Sequence, residues 1–358
     1  MNILALVWSP GTICLQALTK NGDEQLTSIN VPSAIGLHRY DLALYGGSMI
    51  TLRLPGGSRS PFLCSRDGGR TFERLEAVPG DGALHPSRCR VHGNGTLTAI
   101  DGQVLWVRPS TPNLWLRHDL PEGLKIYDVS FDLQGQMHLV GAVPSTRLPE
   151  AQTEAAYALV EGDKTSFLQL ALTVADAELL ELSGGAEVFR QVDAEAAPIL
   201  VTSDCAWQFE DSSSFILVYS NYHWRVRKLE NQSIRAWIRE GLEAVSVFTS
   251  EGRRYRTRDG GTNWEEQDLM LAVRRAWSGP QLRTPLVMAV ASDVHLALAV
   301  SSYDWQAPPN QQLLGSAVLV SFDDGETFEV KTMAENPDTE FLGLLTLKAE
   351  VPPLQITR

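Results

Sequence analysis

Three observations predict an all-β chain built from repeated hairpins. An eight-residue pattern of turn-forming residues occurs three times. Short apolar runs of the kind found in β-strands lie between the copies, and clusters of Gly, Pro, Asn and Asp separate them. No stretch shows a long 3.6-residue apolar periodicity, the pattern of an amphipathic helix. The sequence therefore predicts the fold class more sharply than the function.

The repeated pattern is Ser/Thr-x-Asp-x-Gly-x-(Thr/Asn)-aromatic. Its four main positions are occupied by Ser65, Asp67, Gly69 and Phe72, by Thr257, Asp259, Gly261 and Trp264, and by Ser321, Asp323, Gly325 and Phe328. The Asp carboxylate can accept backbone N–H groups of its own turn. The Gly can adopt a positive φ without strain. We expect the aromatic ring to close the hairpin by packing on the neighbouring strand.

These segments resemble the Asp-box, or BNR, repeat of β-propellers, a family that includes sialidases, sortilin-like ectodomains, xyloglucan hydrolases and photosystem II assembly factors. The resemblance implies a ring of four-stranded blades. It also implies that each box lies on the outer turn between the third and fourth strands of a blade, as a structural element and not as a ligand site. Because family members differ in function, only the fold follows from the resemblance.

The length of 358 residues fits one closed domain, 1–358, of seven blades with about 40–50 residues each. The first two box aspartates are 192 positions apart, or four blades of 48, and the second and third are 64 apart. The longer second spacing indicates one blade plus an insertion, which we place at Tyr303–Leu314. Blade five contains more strand candidates than a blade needs, so six or eight blades remain alternatives.

Blade one is predicted to contain Asn2–Trp8, Thr12–Thr19 and Gln25–Val31, which is one strand short. The β-type run Glu340–Ala349 has no blade of its own, and we expect it to complete blade one and close the ring. Closure removes sheet edges that would otherwise pair with other chains. The remaining blades are predicted at about 41–78, 85–120, 127–172, 175–229, 242–269 and 285–331.

Composition excludes several classes of function. A formal net charge of −13 opposes non-specific binding to nucleic acid. The four cysteines and seven histidines show no metal-binding spacing, so no metal and no cofactor is predicted. The first apolar run ends at Ser9-Pro10-Gly11 without the features of a signal peptide, and no run approaches the roughly 18 apolar residues of a membrane helix. We therefore predict a cytoplasmic protein that binds neither nucleic acid nor membrane.

Charge is divided unevenly along the chain. Residues 149–221 carry a net charge of −11, and residues 222–285 carry +4. Such fields steer a charged partner and orient it. We predict partner contacts at acidic, basic and aromatic positions, namely Glu178, Glu181, Glu187, Arg254, Arg256, Trp224 in a predicted turn, and Tyr303 and Trp305 in the insertion.

The preferred prediction is a non-catalytic propeller that binds another protein, in a more specific version an immunity-type inhibitor that sets its acidic sector against the basic surface of a toxic enzyme. One alternative is an assembly factor for a larger complex. The other is a sialidase-like glycoside hydrolase with a site in the central funnel, which needs three arginines, a Tyr–Glu pair and an acid. The nearest matches to the Arg-Ile-Pro motif of that family are Arg53-Leu54-Pro55 and Arg147-Leu148-Pro149, both with Leu for Ile and neither on the first blade. No catalytic residue is predicted.

Overall fold

The structure is a computed structural model. The described residues are 3–19, 22–30, 43–45, 50–54, 59–81, 84, 89–92, 95–109, 114–144, 153–161, 164–168, 175, 191–194, 198–202, 214–249, 251–277, 286–292, 295–303, 306, 313–334 and 338–346. They form seven four-stranded antiparallel sheets, and edge strands of several neighbouring sheets contact one another. This is a seven-bladed β-propeller, as the sequence predicts, and not a ring of six or eight blades.

Blades one to four follow one another along the chain. Blade one contains β1 (Ile3–Ser9), β2 (Thr12–Thr19) and β3 (Gly22–Asn30). Blade two contains β4 (Ala43–Tyr45), β5 (Ile50–Arg53), β6 (Phe62–Ser65) and β7 (Glu73–Arg74). Blade three contains β8 (Cys89–Val91), β9 (Leu97–Asp101), β10 (Val104–Arg108) and β11 (Leu116–Asp119). Blade four contains β12 (Lys125–Phe131), β13 (Met137–Pro144), β14 (Thr153–Glu161) and β15 (Lys164–Phe167).

Three further blades complete the ring. Blade five contains β16 (Gln191–Asp193), β17 (Ile199–Thr202), β18 (Ser214–Ser220) and β19 (His223–Leu229). Blade six contains β20 (Ile234–Arg239), β21 (Val245–Thr249), β22 (Arg253–Thr257) and β23 (Glu265–Asp268), and the helix α1 (Leu269–Ala276) follows it. Blade seven contains β24 (Leu286–Ser292), β25 (His295–Tyr303), β26 (Leu313–Ser321) and β27 (Glu329–Met333). The last strand is β28 (Glu340–Thr346).

The C-terminal strand closes the ring. β28 pairs antiparallel with β1, so that Ile3 lies opposite Thr346 and Trp8 lies opposite Glu340. β28 also contacts β4 and β24, the first strands of the two neighbouring blades, and is therefore the innermost strand of blade one. The predicted closure is confirmed.

Two blade bounds and one helix differ from the prediction. The first strand of blade five is β16, which begins at Gln191 and not near residue 175. Blade six begins at Ile234 and not near Leu242, because β20 supplies its innermost strand. The helix α1 follows β23, where the sequence analysis assigned no helix. The Asp268 carboxylate caps its N-terminus by accepting the N–H of Met270 at 3.0 Å. Leu269 and Val273 of α1 are buried between blades six and seven.

The hydrophobic core is divided among the gaps between blades. Seven clusters of buried apolar side chains are present in the described structure, one between each pair of neighbouring blades. The cluster between blades seven and one, which includes Ile3 and Val320, has the same character as the others. Apolar burial is therefore continuous around the ring, and each blade is stabilised mainly by its two neighbours.

The two faces of the disk differ in their connections. Because strands alternate in direction, the turns between first and second strands and between third and fourth strands open on one face, which we call the turn face. The turn face carries all three box segments. Connections between second and third strands, and between blades, start from the opposite face, which we call the connection face.

Candidate partner-binding surface

The three box segments form hydrogen-bonded turns of one type. In the first, Ser65 Oγ donates to Asp67 Oδ1 at 2.7 Å, and Asp67 Oδ1 accepts the N–H of Thr71 at 2.9 Å. Asp259 and Asp323 accept the equivalent backbone N–H groups, each at 2.9 Å. Hydrogen bonds donated within each turn hold the pKa of all three carboxyls below the usual range of aspartate.

Each box turn packs against the preceding blade. Gly261 has φ of +88°, and a Cβ there would lie 3.2 Å from the Cβ of Arg225 in blade five. The aromatic residue of each box joins the core between its own blade and the preceding one, as Trp264 does between blades five and six. The aromatic side chain was predicted to close its own hairpin, but it packs mainly between two blades. The box residues thereby join neighbouring blades.

The predicted contact residues Arg254 and Arg256 are buried in an ionic network between blades six and seven. Arg254 pairs with Glu240 at 3.0 Å and with Asp324 at 2.7 Å. Arg256 pairs with the same two carboxylates, at 2.8 Å to Asp324. Because these guanidinium groups are neutralised inside the fold, they are not available to a partner, which corrects the prediction.

Asp324 occupies a backbone position that favours glycine. Its φ is 58°, and the equivalent residues of the first two boxes are Gly68 with φ of 72° and Gly260 with φ of 66°. The left-handed conformation costs a residue with a Cβ about 1–2 kcal/mol. The Asp324 carboxylate offsets this strain because it binds the two buried arginines of blade six.

The prediction for Trp224 is wrong. Trp224 is the second residue of β19 and is 4% exposed. Its ring packs edge-on against Tyr157 of blade four, with the centroids 5.5 Å apart. The turn between β18 and β19 contains only Asn221 and Tyr222, and strand alternation then directs Trp224 into the core.

The other predicted contact residues are not tested by the structure. Tyr303 is the last residue of β25, and its backbone pairs with Leu313. The predicted positions outside the described residues are Trp305, Glu178, Glu181 and Glu187.

Tyr222, two residues before Trp224, is the most exposed large apolar or aromatic side chain among the described residues, at 84%. Asn221 has φ of 51° and Tyr222 has φ of 65°, as in the two-residue type I′ hairpin turn. Asn is common in such turns, but a bulky aromatic residue with positive φ is an outlier. Within the described structure no hydrogen bond or ring contact of Tyr222 offsets this strain.

Tyr222 belongs to a continuous part of the turn face. A Cβ on Gly260 would clash with Ser220 Oγ, so the second box packs against the end of β18, next to the turn that carries Tyr222. The N–H of Gly260 donates to the carbonyl of Glu243 at 3.0 Å. This hydrogen bond connects the second box to the turn between the first two strands of blade six. Leu242, in that turn, is 73% exposed.

The same surface continues into blade seven. Arg258, an exposed residue of the second box, lies 3.8 Å from Asp324 in the third box. Phe322, beside Asp324, is 52% exposed. We call Tyr222, Leu242, Arg258 and Phe322 the turn-face surface. Phe322 also forms one wall of a mainly apolar groove of about 200 Å³ between blades seven and one.

Charged side chains on the inner strands pair with one another. Arg90 of β8 binds Asp128 of β12 and donates to the carbonyl of Val192 in β16 at 2.9 Å. Burial raises the pKa of Asp128, and the neighbouring Arg90 opposes this effect. Arg239 of β20 lies 3.2 Å from Asp193 of β16. These pairs join blades three to six around the channel.

Among the described residues there is no group of three or more His, Cys, Asp or Glu side chains that could hold a metal ion. No described helix is both long and apolar enough to span a membrane. Cys14, Cys64 and Cys89 form no disulfide bond with one another, and Cys205 lies outside the described residues.

Comparison with known proteins places the chain by fold. No family model matches the sequence, and no curated protein matches it. The β-propeller domain of the Trilobed protease from Pyrococcus furiosus, which has an open velcro topology, is similar with a TM-score of 0.53 and 7% identity, over 94% of this chain and 95% of that one. YCF48 bound to D1 peptide gives a TM-score of 0.45 and 11% identity, over 82% and 88%. YCF48 from Cyanidioschyzon merolae gives a TM-score of 0.43 and 12% identity, over 90% of this chain and 97% of that one.

At these identities the similarity concerns the fold alone. With its seven four-stranded blades and the β28–β1 pairing, this chain is a closed seven-bladed β-propeller.

Proposed function

We propose that this chain is a non-catalytic β-propeller that binds another protein through the turn-face surface. The observation that carries the proposal is Tyr222, a strained aromatic residue that is 84% exposed. The hairpin itself would favour glycine at this position. Local strain that the fold does not require is concentrated at functional sites.

The residues of the surface suit protein recognition. Binding hot spots are enriched in Tyr and Arg, and Tyr222 and Arg258 are both exposed. A tyrosine has few rotatable bonds, so that immobilising it in an interface loses little entropy. Leu242 and Phe322 add exposed apolar area to the same face of the disk.

The supporting layer holds the surface in one conformation before binding. Box turns with internal hydrogen bonds carry Arg258 and Phe322. The buried pairs among Glu240, Arg254 and Asp324 lie beneath them. Preorganisation lowers the free energy that association spends on ordering the interface.

Surface plasmon resonance against the partner that co-purifies from the native cell tests the proposal. We expect Tyr222→Gly to weaken binding by about 2 kcal/mol, mainly through faster dissociation. The matched control is Asn231→Gly, since Asn231 also has a positive φ, of 53°, but lies on the connection face. Wild-type affinity for Tyr222→Gly would contradict the proposal, and so would equal weakening by both variants.

The finer roles stay proposals that rest on the sequence. They are an immunity-type inhibitor, a cytoplasmic location, and steering of a basic partner surface by the acidic segment 149–221. Electrostatic steering weakens when salt screens exposed charges, so association rates at two salt concentrations test the last of these.

A further inference from the structure

Two arginines near Tyr222 lack the carboxylate partners that neighbouring arginines have. β19 directs His223, Arg225 and Arg227 to the same side, because side chains alternate along a strand. This side faces blade six, where Arg225 lies against Gly261 of the second box and Arg227 stacks on Tyr255 with its Cζ 5.6 Å from the ring centroid.

Neighbouring arginines are paired. Arg253 binds Glu266, and Arg239 lies 3.2 Å from Asp193. Among the described residues, by contrast, neither Arg225 nor Arg227 has a carboxylate oxygen within 4.0 Å, and the buried Nε of Arg227 has no hydrogen-bond acceptor. The absence of a carboxylate partner therefore distinguishes Arg225 and Arg227 from these neighbours.

Ion pairs inside the fold neutralise part of the positive charge of residues 222–285. Arg254 and Arg256, which contribute to it, are cancelled by Glu240 and Asp324. In the described part of this segment, Arg225 and Arg227 on β19 and Arg274 and Arg275 on α1 have no carboxylate partner, and the β19 pair lies on the strand that follows Tyr222.

We propose that Arg225 and Arg227 bind carboxylates of an acidic segment of the protein partner, with an apolar side chain of that segment packed on Tyr222. The inference rests on the proposed function and specifies the chemistry of the partner. Guanidinium groups bind carboxylates through paired, charge-assisted hydrogen bonds, and partly buried arginines are suited to interface ion pairs. Complementary charge then selects the partner and its orientation.

A short acidic segment fits this place better than a long polyanion such as nucleic acid. The chain carries a net charge of −13. The exposed carboxylates of Glu230 and Glu243 lie on the segments next to β19 and the second box. A polyanion would meet these charges over much of its length, whereas one or two carboxylates need contact only the arginines.

Selection from a random twelve-residue peptide library displayed on phage tests the chemistry without knowledge of the partner. With the wild-type chain as bait, we expect enrichment of peptides in which Asp or Glu flanks an aromatic or large aliphatic residue. The most enriched peptide is then labelled with fluorescein, and its affinity is measured by fluorescence anisotropy. The affinity should fall about tenfold or more in the double variant Arg225→Gln/Arg227→Gln.

Two controls accompany that measurement. Arg253 begins β22, at the end of that strand remote from the second box, and forms an exposed ion pair with Glu266. Arg253→Gln should therefore leave the affinity within about twofold of the wild-type value. Arg225→Gln alone leaves the Arg227–Tyr255 stack intact and should weaken binding by an intermediate factor. It also serves if the double variant does not fold, as judged by circular dichroism.

The outcomes separate this inference from the proposed function. If Tyr222→Gly weakens peptide binding but the arginine variants do not, only the acidic-segment inference is overturned. Unchanged binding in both overturns the turn-face surface as well. The inference would be overturned if the selection enriched no peptides, or only peptides without acidic residues. It would also be overturned if a single-stranded DNA 20-mer displaced the labelled peptide at a lower concentration than the unlabelled peptide does.

Discussion

Replacing Asp324 by glycine would relieve a strained turn but would remove a carboxylate that pairs with two buried arginines. In the first two boxes this position is Gly68 or Gly260, so the turn alone favours Asp324→Gly. Relief of the left-handed conformation, less the greater flexibility of unfolded glycine, gives a gain of about 0.5–1 kcal/mol. The ionic network with Arg254 and Arg256 opposes the substitution, because it leaves two buried guanidinium groups with one carboxylate, Glu240.

The network term is the larger of the two. Removing one partner of a fully buried pair costs about 3–5 kcal/mol. The Asp324 side chain is 35% exposed, so solvent compensates part of the loss and leaves about 2 kcal/mol. We therefore expect a net loss of about 1–1.5 kcal/mol in the free energy of unfolding.

Urea denaturation followed by tryptophan fluorescence measures this difference. Asn231→Gly is the matched control, because it relieves a positive φ of 53° without breaking an ion pair, and it should raise the midpoint. In a background where Arg254 and Arg256 are both Met, the loss caused by Asp324→Gly should disappear. An unchanged or raised midpoint for Asp324→Gly in the wild-type background would show that the ion pairs of Asp324 do not outweigh its backbone strain.

Three further predictions concern stability. Arg108 is 5% exposed and, within the described structure, has no ion pair or hydrogen bond, so Arg108→Met should leave the urea midpoint unchanged or raise it; a lower midpoint would show that the charge is satisfied. Burial lowers the pKa of His92 and His138, so the unfolded chain binds protons below about pH 6.5 while the folded chain does not. Stability should therefore be lost as pH falls below that value, less steeply when both are replaced by Gln, and equal slopes would contradict this. Deleting residues 340–358 should expose sheet edges and cause aggregation in light scattering, whereas deleting 347–358, which leaves β28 intact, should not.

The features that sequence analysis predicted correctly are local or topological. The box turns follow from residues such as Asp67 and Gly69, whose hydrogen bonds and backbone conformation depend on a few neighbours in the chain. Ring closure followed from one run of strand type that had no blade of its own. Neither prediction required knowledge of contacts between distant segments.

The features that were missed depend on contacts between blades or on where a turn ends. Arg254 and Arg256 read as exposed charges because their partner Asp324 lies about 70 positions away, and no spacing rule predicts that pair. Trp224 was misplaced because the turn ends at Tyr222, two residues before Trp224, so that Trp224 lies in β19 and the alternation of side chains directs it into the core. The helix α1 could have been found, since Asp268 precedes apolar residues at helical spacing, the signature of a capped N-terminus.

Hydroxyl-radical footprinting of the chain with its co-purified partner tests the central claim most directly. It reports the solvent exposure of individual Tyr, Phe and Leu side chains before and after binding. We expect the oxidation rates of Tyr222, Leu242 and Phe322 to fall together in the complex. Leu271 on α1, which is 56% exposed on the connection face, should keep its rate. Protection of Leu271 with no change at the three turn-face residues would contradict the account.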